Sequence, residues 1–172
     1  MVEIRLVTTP AEVATTARLA RDIWTEHYVP IIGRDQVEYM LERFQSAEAI
    51  ARQIAEGHEY YLLLEEGEAV GYAAASAEPD GAAVFLSKIY VRKDRRGRGL
   101  GRALLRFIEQ RFARRGCRTL WLTVNKRNPT VAWYERMGFT NAGPTVKDIG
   151  GGFVMDDYKM VKRLAREEGP AQ

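Results

Sequence analysis

The residues best suited to chemistry lie in one segment past the middle of the chain, Ile89-Tyr90-Val91-Arg92-Lys93-Asp94-Arg95-Arg96-Gly97-Arg98-Gly99-Leu100-Gly101-Arg102-Ala103-Leu104-Leu105. A β-branched and aromatic run ends, glycines alternate with other residues, and an amphipathic helical pattern begins. Glycine lets a backbone turn tightly and approach a ligand closely. A helix N-terminus presents unpaired N–H groups and about half a positive charge. Together these features make a cradle for phosphate, and Arg96, Arg98 and Arg102 can add charge-assisted bonds. The spacing is Gly-x-Gly-x-Gly, which differs from the Gly-x-Gly-x-x-Gly of dinucleotide folds. It also follows an antiparallel pattern, whereas a Rossmann unit starts from its first strand. No Lys-Ser or Lys-Thr pair follows, which argues against a nucleotide-triphosphate loop. A plain strand-to-helix turn is the competing reading.

The elements around this turn can be read from periodicity. Glu3 to Val7 alternates as a first strand. Thr9-Pro10-Ala11-Glu12 has capping-box form and opens a helix with Val13, Ala17, Ala20, Ile23 and Trp24 on one face. Residues 26–33, Glu26-His27-Tyr28-Val29-Pro30-Ile31-Ile32-Gly33, are expected to form an aromatic and apolar loop. Val37, Met40, Leu41 and Phe44 predict a second helix, and Ser46 caps a third. Residues 60–65, 69–77 and 82–91 form a meander of strands separated by Glu66-Gly67 and Glu78-Pro79-Asp80-Gly81. Leu100, Ala103, Leu104, Phe107, Ile108 and Phe112 share one helical face. Thr119 to Val124 is a buried strand, and Asn128-Pro129 opens a short helix that Gly138 closes. Phe139 onward and Phe153 to Arg163 are two last strands. The expected fold is α/β (α+β), with a mixed, mostly antiparallel sheet of six to seven strands flanked by helices. Residues 1–165 are expected to form one domain and residues 166–172 a frayed tail.

Composition narrows the function classes. The chain has 172 residues, 46% hydrophobic and 28% charged, ordinary values for a globular protein with a sizeable core. Its formal charge of +3 is weak support for a nucleic-acid partner. The helix after Gly101 carries Glu109 and a strong apolar stripe, which suits packing better than DNA recognition. No apolar run approaches a bilayer span, and the N-terminus lacks a signal-peptide pattern. The expected compartment is the cytoplasm, with no membrane or nucleic-acid partner. Cys117 is the single cysteine and is expected to be a buried filler residue. His27 and His58 lack metal-ligand spacing with Cys or carboxylates, so no metal is expected.

Arg96-Gly97-Arg98-Gly99-Leu100-Gly101 resembles the coenzyme A loop of the GCN5-related N-acetyltransferase (GNAT) superfamily. Trp121-Leu122-Thr123-Val124-Asn125 is similar to that family's next strand, and Tyr134-Glu135-Arg136-Met137-Gly138-Phe139 to its Tyr-x-x-x-Gly-Phe signature. The resemblance implies a GNAT fold with a splayed central strand pair and acetyl-CoA as cosubstrate. The pantetheine arm would pair with Ile89, Tyr90 and Val91, and the Val91 N–H would polarise the thioester carbonyl. The diphosphate would sit on backbone N–H groups from Arg96 to Arg102. Asn125 fits pantetheine contact and a turn role equally. Asn128 fits cofactor contact or, preferably, a helix cap, because the family usually has one more residue before the Tyr. Tyr134 would protonate the departing thiolate. A phenol, with an ordinary pKa near 10, still holds its proton at neutral pH. A core aromatic is its alternative role.

For the acceptor, the resemblance points to Trp24, His27 and Tyr28 and to the stretch from Asp148 to Tyr158, with Asp156 as a carboxylate beside aromatics. Glu26, His27, Asp156 and Asp157 are candidates for the base. The run Gly150-Gly151-Gly152-Phe153-Val154-Met155-Asp156-Asp157-Tyr158 and the N-terminal half resemble a bacterial subgroup of polyamine or diamine acetyltransferases. The expected activity is acetyl transfer to a primary amine by direct attack, the acceptor a polyamine or other small amine. Alternatives are a noncatalytic acyl-CoA sensor and a protein N-terminal or lysine acetyltransferase. A homodimer through the last strands is compatible with the resemblance.

Overall fold

The computed structural model describes residues 1–165, so the expected tail at 166–172 lies outside the described residues. The chain runs β1 (Val2–Leu6), α1 (Pro10–Ile32), α2 (Arg34–Phe44), α3 (Ala47–Ala55), β2 (Glu59–Glu65), β3 (Glu68–Ala77), β4 (Ala83–Val91), a 3-10 turn (Lys93–Arg95), α4 (Leu100–Arg114), β5 (Thr119–Asn125), α5 (Thr130–Arg136), β6 (Thr140–Gly150) and β7 (Phe153–Arg163). Seven strands form one mixed sheet, within the expected six to seven, in the order β1-β2-β3-β4-β5-β7-β6.

Two compact units divide the chain: residues 1–74 with 88–104, and residues 75–87 with 105–165 among those described. In the first, β1 pairs antiparallel with β2 from Val2↔Glu65 to Leu6↔Tyr61. Its core joins Val7, Leu19, Ala20, Ile23, Ile50, Tyr60, Leu62, Tyr72 and Ala74. Thr9 closes the capping box of α1: its hydroxyl accepts the Glu12 N–H at 3.2 Å while Glu12 accepts the Thr9 N–H at 3.0 Å. Ser46 caps α3 by accepting the Ala49 N–H at 3.1 Å.

The expected loop at 26–33 is a correction. Helix α1 continues through Pro30 to Ile32 and ends at Gly33, whose φ is 87° and whose N–H reaches the Val29 carbonyl at 2.9 Å. Proline deprives a helix of one hydrogen bond. Here it falls in the last turns, after Trp24 and Tyr28, one turn apart, have buried their rings on the core side. Packing of that face outweighs the lost bond.

In the second unit, β4 runs parallel to β5 at Ala83↔Thr119, Val84↔Leu120 and Phe85↔Trp121. Beyond these three pairs β4 continues to Val91 and β5 to Asn125. β5 pairs antiparallel with β7 over its whole length, Thr119↔Arg163 to Asn125↔Asp157. β7 turns back on β6 through Gly151-Gly152, with register shifts at Asn141/Pro144 and Asp148/Gly150. The glycine run therefore supplies both a turn and a bulge. Ile108, Phe112, Leu120, Leu122 and Met160 are buried in this unit, as is Cys117, whose thiol burial pushes up.

Candidate active site

The first unit holds the strand end and the glycine turn. The Arg92 N–H donates to the Val70 carbonyl of β3 at 2.8 Å. Successive N–H groups along a strand point to opposite edges. The Val91 N–H is therefore aimed off the edge of β4 that faces away from β3. Past the 3-10 turn, Gly97 and Gly99 have φ of 82° and 79°, a conformation that side chains resist. The first intrahelical bond of α4 runs from the Ala103 N–H to the Gly99 carbonyl at 3.0 Å, so helix geometry leaves the N–H groups of Leu100, Gly101 and Arg102 without an intrahelical partner. Gly101 lies in the first turn of α4. Strand end, left-handed glycines and the first turn of α4 thus lie in the order that the sequence pattern predicts.

The arginines are arranged differently from that expectation. Arg92 pairs with Glu68 at 2.6 Å and Asp94 at 2.8 Å, and Arg95 with Glu65 and Glu68, each at 3.1 Å. Arg98 reaches Glu65 at 3.4 Å. Arg96 donates from Nε to the Val91 carbonyl at 3.0 Å. Arg102 is exposed on the first turn of α4. Carboxylates from the β2–β3 hairpin thus neutralise much of the basic cluster, and the Glu68 carboxyl is held below its ordinary value by its bond to Arg92. Lys93, Arg96 and Arg102 are the exposed cations of the turn with no carboxylate partner among the described residues.

The same unit gathers three of the expected aromatic residues. The rings of Trp24 and Tyr28 lie 4.3 Å apart, and Tyr90 of β4 meets them edge-on at 5.6 and 6.2 Å. His27 stands perpendicular to Tyr28 at 4.8 Å and is half-buried. Trp24 and Tyr28 are therefore mainly core, and His27 is the part of the wall that solvent reaches. Glu26 is exposed.

Lys88 carries no motif in the sequence. It is buried on β4, and its ammonium donates to the Phe44 carbonyl, to the Tyr60 hydroxyl and, at 3.2 Å, to Gln53 Oε1. Burial pulls it down to about 7. The signal was present in the alternation: Lys88 shares a strand face with buried Val84 and Leu86.

The second unit holds the other candidates. Asn125 Oδ1 accepts the Arg127 N–H at 2.9 Å, a turn role. Asn128 Oδ1 accepts the Thr130 N–H at 3.0 Å at the start of α5, and the Asn128 N–H donates to the Asn125 carbonyl at 2.9 Å. Asn128 thus closes the turn that leads into α5, next to Pro129. Tyr134 lies on α5, 8% exposed, with Trp133 and Phe139 ring centroids at 5.2 and 5.6 Å. Asp156 is exposed and paired with Lys126 at 2.9 Å. Asp157 is buried, and burial pushes its carboxyl up to about 6.

Residues 17–139 match the acetyltransferase (GNAT) family, and the chain belongs to it. It is 34% identical over 98 residues to the [ribosomal protein bS18]-alanine N-acetyltransferase of Escherichia coli K12, an alignment covering 56% of this chain and 65% of that protein. It is 32% identical over 90 residues to the streptothricin acetyltransferase of Streptomyces lavendulae, covering 52% of this chain and 48% of that protein. The chain thus spans about half to two thirds of these curated relatives. Its fold superposes on the PaiA N-acetyltransferase of Thermoplasma acidophilum in complex with coenzyme A, with a TM-score of 0.78, 20% identity and coverage of 95% and 99%. It also superposes on the ribosomal-protein-S18-alanine N-acetyltransferase of Escherichia coli, with a TM-score of 0.72, 21% identity and coverage of 100% and 99%. At these identities the two structures speak to the fold. Neither curated relative is named for a polyamine, so the polyamine subgroup lacks support and the family stands alone.

Proposed function

We propose that this protein is an acetyl-CoA-dependent N-acetyltransferase that transfers acetyl to a primary amine by direct attack. The observation that carries the reading is the N-terminus of α4 behind left-handed Gly97 and Gly99, joined to a strand end whose Val91 N–H is aimed away from β3. Backbone N–H groups from Arg96 to Arg102 hold the diphosphate. The backbone of Ile89, Tyr90 and Val91 holds the pantetheine arm, and the Val91 N–H polarises the thioester carbonyl, where a fixed donor is worth most as the oxyanion develops. A neutral amine attacks, the C–S bond breaks, and Tyr134 gives its proton to the leaving thiolate. Asn125 and Asn128 keep the turn between β5 and α5.

The acceptor belongs to the primary amines. The curated relatives are named for an alanine of a ribosomal protein and for streptothricin, so peptide N-termini and small amines both enter the test. Half-buried His27 beside Tyr28 is the acceptor-side contact we favour over Asp156, which is taken up by Lys126. The decisive assay follows thiol release from acetyl-CoA with a panel of small amines, spermidine included, and peptides with free N-termini. Absence of acetyl-CoA binding in calorimetry would overturn the reading.

A further inference from the structure

The adjacent carboxylates of β7 look interchangeable in the sequence, yet the structure separates them. Asp156 faces solvent and holds Lys126 at 2.9 Å. Asp157 is 4% exposed, opposite Asn125 of β5 on one side and Thr145 of β6 on the other. Its carboxylate is hydrogen-bonded to Thr123. The charged groups on the strands beside it are Asp156 and Lys159 on its own strand, Lys147 two residues beyond Thr145 on β6, and Lys126 just past β5. Lys126 is committed to Asp156, and the Lys159 ammonium lies 4.8 Å above the Trp121 ring. Among the described residues no ion pair to Asp157 is found, and a buried carboxylate without a contacting cation is costly. An asparagine would accept the Thr123 bond without that cost, so a purely structural role does not require an acid here.

The position suits chemistry. Asn125 ends β5, Asn128 follows in the turn, and α5 then carries Tyr134. The acid and the buried carboxylate thus come from elements that meet at one strand-to-helix turn of the second unit.

Resting on the acetyl-transfer reading above, we propose that Asp157 is the general base of the reaction. As the N–C bond forms, the attacking nitrogen becomes cationic, and its proton passes to the Asp157 carboxylate, directly or through one water. The tetrahedral intermediate collapses, the C–S bond breaks, and the thiolate takes the Tyr134 proton. Solvent then removes the proton from Asp157 and restores that of Tyr134. A base works best when its pKa lies near the working pH. Desolvation first, and then the Asp156 charge, raise Asp157 to about 6, against the pull of Thr123 and Lys126.

The test compares the full chain with Asp157→Asn, using acetyl-CoA and the most active amine of the panel from pH 5 to 9. The variant is expected to lose about a hundredfold to a thousandfold in kcat while binding coenzyme A within about twofold of the wild type. Below pH 6, log kcat/KM of the wild type rises with a slope of about two, one proton from Asp157 and one from the amine; the variant keeps a slope of about one. Retention of more than about a third of wild-type kcat, or an unchanged slope, overturns the assignment. A carboxyl carbon-13 NMR titration gives an acceptor-independent readout: the signal lost in Asp157→Asn should titrate near 6, and a midpoint below about 4.5 also overturns it. Wild-type protein that fails to bind acetyl-CoA removes the acetyl-transfer reading itself. Normal wild-type turnover with an equally active variant removes only the base.

Discussion

The Arg96 guanidinium donates to the carbonyl of Val91 at 3.0 Å, tying the glycine turn back onto the last residue of β4. The peptide unit on one side of Val91 is thereby held by a side chain, while the Val91 N–H on the other side is the donor assigned to the thioester. Arg96→Ala is expected to weaken coenzyme A binding about three- to tenfold, since the residue is exposed and solvent screens its charge. Arg96→Lys should recover only part of this, because an ammonium lacks the planar guanidinium that meets the carbonyl. Isothermal calorimetry checks both.

Gly71 of β3 supports the same strand end. A Cβ there would lie 2.7 Å from the Tyr90 carbonyl oxygen, 3.2 Å from Leu63 Cδ2 and 3.3 Å from Val91 Cγ2. The side chains can yield, but the backbone oxygen moves only with its strand. Gly71→Ala should cost about 1–3 kcal/mol of stability and lower kcat by displacing Tyr90 and Val91. Thermal unfolding with steady-state kinetics reads both effects.

Tyr134→Phe removes a hydroxyl and keeps the ring that packs against Trp133 and Phe139. The expected result is about a hundredfold loss in kcat with coenzyme A affinity unchanged within about twofold. Unchanged turnover would exclude the acid role and favour a core aromatic.

Lys88 gives stability a pH dependence of predictable sign. Its folded-state value, about 7, lies below the ordinary 10.5, so between these limits the unfolded chain binds more protons and stability rises with pH. The penalty of burying the ammonium is fully present below about 7 and is relieved as pH rises toward 10.5. Lys88→Met lacks this term. Denaturant titrations at pH 6.5 and 9 should show the wild type gaining on the variant by more than about 1 kcal/mol at the higher pH.

Asp157 titrates with the opposite consequence. Its carboxyl is raised from 3.8 to about 6 in the folded state, so the folded chain binds the extra proton and stability falls as pH rises across that window. Asp157→Asn should be more stable than the wild type above pH 6, by about 1–3 kcal/mol, and the difference should shrink below pH 4. A variant that is both slower and more stable is the signature of a charge kept for chemistry.

Much of the fold was legible because local rules and burial agreed. The Thr9 capping box, the Ser46 cap, the alternation in β4 and β5 and the glycine turn before α4 depend on neighbours a few residues away, and the structure has all of them. Pro30 misled because the rule for proline in helices is local, whereas the continuation of α1 is decided by Trp24 and Tyr28 packing on a core assembled from distant strands. The glycine turn was legible for the same reason as the caps: left-handed glycines and a helix terminus are backbone features.

The sequence by itself determined the family and the glycine-bearing strand-to-helix turn, because backbone geometry follows from residue type and short spacing. Tertiary structure alone decided which charges are available. Arg92, Arg95 and Arg98 are claimed by Glu65, Glu68 and Asp94, Lys88 is buried under Phe44 and Tyr60, and Asp157 lies beneath the sheet surface while Asp156 does not. Charge depends on desolvation and on partners brought close by folding, and neither can be read along the chain.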